Sequence, residues 1–231
     1  VINFKILTLF PELFPGPLAA SITGVALEKK IWSLEAINIR DFAKDERKTV
    51  DDTPYGGGAG MVLKADILAD AIEKNLQSES KIFYLSPRGK TLTQKKAREL
   101  AQEKEIILLC GRYEGVDQRV LDEFAIEEIS IGDYVLSGGE LAAFVVIDAI
   151  LRNVEGVLGA DESLAEESFG SKENLEYENL LEYPHFTRPA KWRGREVPQV
   201  LTSGHHKKIN EWRKEKAIEI TKKNRPDLLK N

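Results

Sequence analysis

Short apolar runs alternate with amphipathic stretches over the first two thirds of the chain, and this alternation constrains the fold most. Residues 4–10, 34–39, 81–85, 105–109 and 129–131 read as strands. Residues 18–30, 64–76, 93–103, 118–124 and 141–154 read as helices. Within 64–76, Ile67, Leu68, Ala71, Ile72 and Leu76 fall on one helical face. Strands apolar on both sides, separated by helices, predict an α/β fold: a mostly parallel sheet with helices on both faces.

The chain of 231 residues, 42% apolar and 31% charged, has ample material for one large core and a smaller companion. That composition excludes collagen-like, disulfide-scaffold and wholly disordered classes. The single cysteine, Cys110, permits no internal disulfide and follows an apolar run, so a buried small hydrophobe is expected. The longest apolar stretch, 141–151, is interrupted by Asp148 and falls short of the roughly 20 residues of a membrane span. The first residues read as a strand rather than a signal peptide. A cytoplasmic protein without a membrane partner is the expectation.

Charge divides the chain. Residues 185–231 hold 13 Lys/Arg against 5 Asp/Glu, while residues 1–184 hold 20 against 33. A basic C-terminal piece reads as either a solvated helical face or a surface for a polyanion. Before it, residues 161–182 carry eight acidic side chains and one basic, Lys172, which reads as a linker. The expected organisation is a domain over 1–160, an acidic linker over 161–183 and a basic helical domain over 184–231. Ser203 is expected to cap a helix that ends near Asn224.

Ligands of open α/β sheets bind outside the carboxyl ends of strands. Three expected loops leave such ends: 86–90, 111–115 and 132–140. Standard nucleotide signatures fail there. A phosphate loop ending at Gly89-Lys90-Thr91 requires glycine where Tyr84 stands, and the dinucleotide pattern fails where Met61 follows Gly56 to Gly60. The three histidines (His185, His205, His206) have no zinc-protease spacing, and no Gly-x-Ser-x-Gly elbow occurs.

Four motifs then occur in order: Pro54-Tyr55-Gly56-Gly57-Gly58-Ala59-Gly60-Met61, Tyr84-Leu85-Ser86-Pro87, Cys110-Gly111-Arg112-Tyr113-Glu114-Gly115 and residues 130–141, Ser-Ile-Gly-Asp-Tyr-Val-Leu-Ser-Gly-Gly-Glu-Leu. With Pro184-His185-Phe186-Thr187-Arg188-Pro189 and Val197-Pro198-Gln199-Val200-Leu201, this set closely resembles the bacterial tRNA (guanine-N(1))-methyltransferase family of the SPOUT superfamily. The resemblance implies a homodimer whose N-terminal domain carries a deep trefoil knot. It implies S-adenosylmethionine against Tyr84, Leu85, Ser86, Pro87, Gly111, Tyr113, Ile131, Gly132, Asp133, Tyr134, Val135, Leu136, Gly138 and Gly139. The implied substrate is the guanosine just 3′ of the tRNA anticodon, contacted through the anticodon stem-loop by Glu114, Ser163, His185, Arg188, Lys207 and Lys208. The resemblance also implies magnesium, although no metal-ligand cluster is visible in the sequence. Ribose 2′-O-methylation and non-catalytic RNA binding are the alternative functions.

Methylating a guanine ring nitrogen requires removal of its proton and stabilisation of charge on the neighbouring carbonyl oxygen. By the resemblance, Arg152 takes the second role and an acidic–Ser–Phe motif supplies the base. Here the motif is Glu167-Ser168-Phe169, with Glu where the family has Asp; the side chain is one methylene longer and of comparable basicity. Asp161 and Glu166 are rival carboxylates. Trp192 and Trp212 are candidates for base stacking, with core packing the better reading for Trp212.

Overall fold

The computed structural model describes residues 1–158, 167–170 and 177–229. The chain forms two compact units, Val1–Gly159 and Ala160–Asn231. The first holds five parallel strands: β1 (Ile2–Thr8), β2 (Trp32–Asn38), β5 (Lys81–Thr91), β6 (Glu105–Cys110) and β7 (Glu127–Ser130), in the order β2-β1-β6-β5-β7. A two-stranded antiparallel pair, β3 (Asp51–Asp52) and β4 (Val62–Leu63), lies between β2 and α2 (Ala65–Asn75) in the chain.

All six residues of the central β6 are buried, and the period of two divides them between two cores. Ile106, Leu108 and Cys110 join Phe4, Trp32 and Phe83 in a cluster that includes α1 (Ser21–Glu28), α3 (Gln94–Leu100) and α5 (Glu140–Leu151). Ile107 and Leu109 join Leu7 and Tyr84 on the opposite face, with α2 (Ala65–Asn75) and α4 (Gln118–Glu123). Helix α2 buries Ile67, Leu68, Ala71 and Ile72 as its periodicity requires, while Leu76 closes the helix and stays partly exposed. The Thr93 hydroxyl starts α3 by accepting from Lys96 N at 3.2 Å.

The stretch 86–90 differs from its expected loop. It belongs to β5, which pairs with β7 on both sides of a register shift between Leu85 and Lys90. The strand bulges round Ile129, and at Gly89 it passes so close to β7 that a Cβ would stand 2.4 Å from the Glu128 carbonyl carbon.

The second unit is built on α6 (His206–Asn224), which buries Ala217 and Thr221. Its core joins Ala217 to Tyr177, Leu180 and Tyr183, with Trp212 and Ile218 packed against them. Residues 177–183, read from the sequence as linker, therefore contribute to this core. Leu181 N donates to the Thr221 hydroxyl at 2.8 Å, fixing that segment to the helix. Ser203 does not cap α6: the N-cap is His205, and the Ser203 hydroxyl accepts from His205 N while donating to Val200 O at 2.7 Å. A hairpin, β8 (Lys191–Trp192) and β9 (Arg195–Glu196), precedes the helix. No helix among the described residues is long and apolar enough to cross a membrane.

Candidate active site

At the carboxyl ends of β5, β6 and β7 lies a pocket of about 310 Å³, within the size range of small-molecule sites. The bulged part of β5 supplies Leu85, Ser86 and Pro87 to its wall; the turn after β6 supplies Gly111, Tyr113 and Glu114. The segment between β7 and α5 supplies Ile131, Gly132, Tyr134, Val135, Leu136, Gly138 and Gly139, and Tyr84 also lines the pocket. Asp133 is exposed and is not part of the lining. Around the pocket, Tyr113, Tyr134 and Val135 stand open to solvent, at 51, 54 and 85% exposure.

Two backbone approaches make the pocket. Gly139 N donates to Gly111 O at 3.0 Å, tying the second loop to the third. A Cβ on Gly139 would stand 2.7 Å from Cys110 Cα, and one on Gly138 would stand 2.3 Å from Arg112 Nε, so only glycine lets these loops meet. Tyr84 packs its ring beside Gly111. Burial holds the Tyr84 phenol above its ordinary pKa, opposed by Arg88 and aided by Glu128, so the group stays neutral near pH 7.

Sequence reasoning missed the charged pair that braces these loops. Arg112 Nη2 lies 3.0 Å from Glu140 Oε2, and the glutamate side chain is only 2% exposed. The Thr8 hydroxyl donates to Glu140 Oε1 at 2.7 Å, and Arg112 Nη1 donates to Ser137 O at 3.2 Å. The guanidinium also sits 4.3 Å from the centre of the Phe10 ring. The end of β1, the turn after β6 and the start of α5 are thus joined through one ion pair, its glutamate buried and its arginine partly exposed. Both charges stand inside the quoted motifs; their opposite signs were the available signal, but only the folded loops bring them together. On its other side the turn after β6 is braced by Glu114 N donating to Met61 O at 2.9 Å and Leu63 N to Gly115 O at 3.0 Å.

Fold and site define an α/β protein with a small-molecule pocket built from glycine-bearing turns at the carboxyl ends of parallel strands. The family model described as tRNA (Guanine-1)-methyltransferase TrmD matches residues 2–231, and the chain belongs to that family, whose fold is of the SPOUT class. It is 58% identical to a tRNA (guanine-N(1)-)-methyltransferase of Rhodospirillum rubrum, over 96% of this chain and 90% of that protein. Proteins of the same name from Rhizobium johnstonii and Wolbachia pipientis wMel are 54 and 52% identical, over 97 and 98% of this chain and 90 and 95% of theirs.

A methyltransferase of this family implies S-adenosylmethionine as methyl donor. The pocket fits it. Leu85, Ile131, Leu136 and Ala142 give apolar walls for a purine, and Gly111, Gly138 and Gly139 let main-chain groups approach a ribose. No group of three or more His, Cys, Asp or Glu among the described residues is placed to hold a metal ion.

The remaining candidates lie elsewhere. Arg152 is the C-cap of α5, whose other end borders the pocket. Twelve helical residues separate the ends by about 18 Å, and Arg152 does not line the pocket. Glu167 begins a turn in the second unit in which Gly170 N donates to Glu167 O at 3.0 Å and Phe169 N to Leu180 O at 2.8 Å. The Ser168 hydroxyl accepts from Glu182 N at 2.9 Å. His185 is held 2.7 Å from the Glu182 carboxylate, and Arg188, Lys207 and Lys208 are exposed. Ser163 and the rival carboxylates Asp161 and Glu166 lie outside the described residues.

Proposed function

We propose that this protein methylates the N1 ring nitrogen of the guanosine immediately 3′ of the anticodon in tRNA. The glycine-built pocket carries this reading, in a chain that matches the tRNA (guanine-1)-methyltransferase family throughout. Bound there, S-adenosylmethionine supplies a methyl group already activated on a sulfonium. The chain's part is to hold that group and prepare the acceptor. Tyr84 to Pro87, Gly111 with Tyr113, and the turn from Ile131 to Gly139 grip the donor, and the Arg112–Glu140 pair keeps the turns in register. Glu167 takes the proton from the guanine nitrogen. Arg152 stabilises the charge that builds on the neighbouring oxygen, a role suited to the planar donor fork of a guanidinium.

The length of α5 between Arg152 and the pocket supports a site completed by a second copy of the chain. Leu141 and Val145, at 57 and 49% exposure, continue through Asp148 to Arg152 at helical spacing. This exposed face, apolar at Leu141 and Val145 and charged at Asp148 and Arg152, fits a homodimer contact with Arg152 at its edge. The knot expected of the SPOUT class would account for three turns meeting at one rim. Lys207, Lys208 and Arg188 would pair with phosphates of the anticodon stem. The protein would act in the cytoplasm, with its substrate.

The test is transfer of labelled methyl from S-adenosylmethionine to tRNA transcripts in which the target guanosine is or is not preceded by a second guanosine, making a guanosine pair, followed by nucleoside identification. The reading expects N1-methylguanosine only where the pair is present. A 2′-O-methylated nucleoside would replace it with ribose methylation, and no transfer would leave RNA binding alone. Glu167→Gln should slow transfer at least a hundredfold with S-adenosylmethionine affinity unchanged. Full activity removes Glu167 from the mechanism.

A further inference from the structure

The hairpin of the second unit places an unneeded indole in an unusual setting. Its strands pair Lys191 with Glu196 and Trp192 with Arg195, and Val197 N donates to Ala190 O at 3.0 Å to close the ladder. The two-residue turn holds Arg193 at φ 50° and Gly194 at φ 79°, both left-handed, which matches the twist of a tight hairpin. Trp192 is 58% exposed, and the core of its unit is made without it. The other two tryptophans differ: Trp32 is fully buried and Trp212 packs against that core.

The unpaired charges around this indole have one sign. The Arg193 guanidinium lies 5.0 Å from the ring centre, and Arg195 stands directly opposite on the paired strand. The nearby carboxylate, Glu196, is taken by Lys191 at 2.9 Å. Neither arginine has a carboxylate partner among the described residues. An exposed indole alone is ordinary on a protein surface. An indole with two uncompensated guanidiniums on a rigid turn has the composition of a single-strand nucleic-acid contact, where aromatic faces stack on bases and cations track the backbone.

We propose that the Lys191–Glu196 hairpin is a base-stacking contact for tRNA. Trp192 takes an unpaired base on its open face, and Arg193 and Arg195 hold the adjoining phosphates. The inference rests on the tRNA reading above and adds a binding element remote in sequence from the methyl-donor pocket.

Methyl-transfer kinetics and tryptophan fluorescence with the full chain and a tRNA transcript test it. Trp192→Ala should raise the KM for tRNA about tenfold while kcat and the KM for S-adenosylmethionine hold. Trp192→Phe, which keeps an aromatic face, should recover tRNA KM to within about threefold. Saturating tRNA should quench the exposed fluorescence of the wild type and leave Trp192→Phe unquenched. Arg193→Ala with Arg195→Ala should lower the slope of log affinity against log salt by about two. If wild type methylates tRNA and Trp192→Ala keeps its tRNA KM within twofold, the hairpin proposal falls and the tRNA reading stands; the indole would then serve a protein partner or none. A wild type that neither binds nor methylates tRNA overturns both.

Discussion

In the first unit β6 buries all six of its residues, and the charges of Arg112 and Glu140 are drawn into the interior beside the pocket. In the second unit α6, with 19 residues, buries only Ala217 and Thr221, while Lys207, Lys208 and the hairpin arginines face solvent. The contrast follows from the ligands proposed for each. A small cofactor must be oriented to a fraction of an ångström, which favours a dry, braced cavity whose parts are fixed before binding. A polyanion is attracted over a Debye length of about 8 to 10 Å at ordinary salt, so exposed cations suffice and a large core does not add affinity.

If the first unit is braced by this ion pair, the largest effect should come from breaking it. Glu140→Gln leaves Arg112 without its counter-charge, and we expect a loss of about 3 kcal/mol in stability, read from urea unfolding, together with weaker S-adenosylmethionine binding. Unchanged stability would show that the loops hold themselves without the pair. Next in size, Gly139→Ala forces a Cβ against the Cys110 backbone and should weaken S-adenosylmethionine binding at least tenfold in calorimetry. Gly56→Ala provides the contrast: its φ of 89° adds strain of about 1 kcal/mol, but open space surrounds it and donor affinity should hold.

The second unit should respond to charge and salt. Lys207→Glu with Lys208→Glu should weaken tRNA binding at low salt and flatten its salt dependence, while S-adenosylmethionine affinity stays the same. Equal loss of both ligands would erase the division of labour between the units. The smallest effect concerns Cys110. Burial first, and the Glu140 charge second, push its thiol well above the ordinary pKa, with Arg112 opposing. We expect no alkylation of the native protein at pH 8 and complete alkylation in urea; rapid native labelling would mean that the core around β6 opens.

Much of the first unit was legible in the sequence because its signals are local. Helix α2 announces itself through Ile67, Leu68, Ala71 and Ile72, and β6 through an unbroken apolar run. The segment 86–90 misled for the opposite reason. Its Ser-Pro-Arg-Gly signals a turn, yet pairing with a strand 40 residues onward keeps it in the sheet as a bulge, with Arg88 reaching Glu128. Residues 177–183 look like acidic linker, but Tyr177, Leu180 and Tyr183 find an apolar surface that α6 supplies later in the chain. At the site, glycines and rim aromatics could be read directly. The Thr8–Glu140–Arg112 connection could not, since it spans 132 positions and exists only after the sheet has formed.

The most direct measurement is a crystal structure of the protein grown with S-adenosylmethionine. The account predicts density at the ends of β5, β6 and β7, with the adenine among Leu85, Ile131 and Leu136 and the ribose against Gly111, Gly138 and Gly139. A donor lodged anywhere else on the chain, or a saturated crystal with those turns bare, would contradict it.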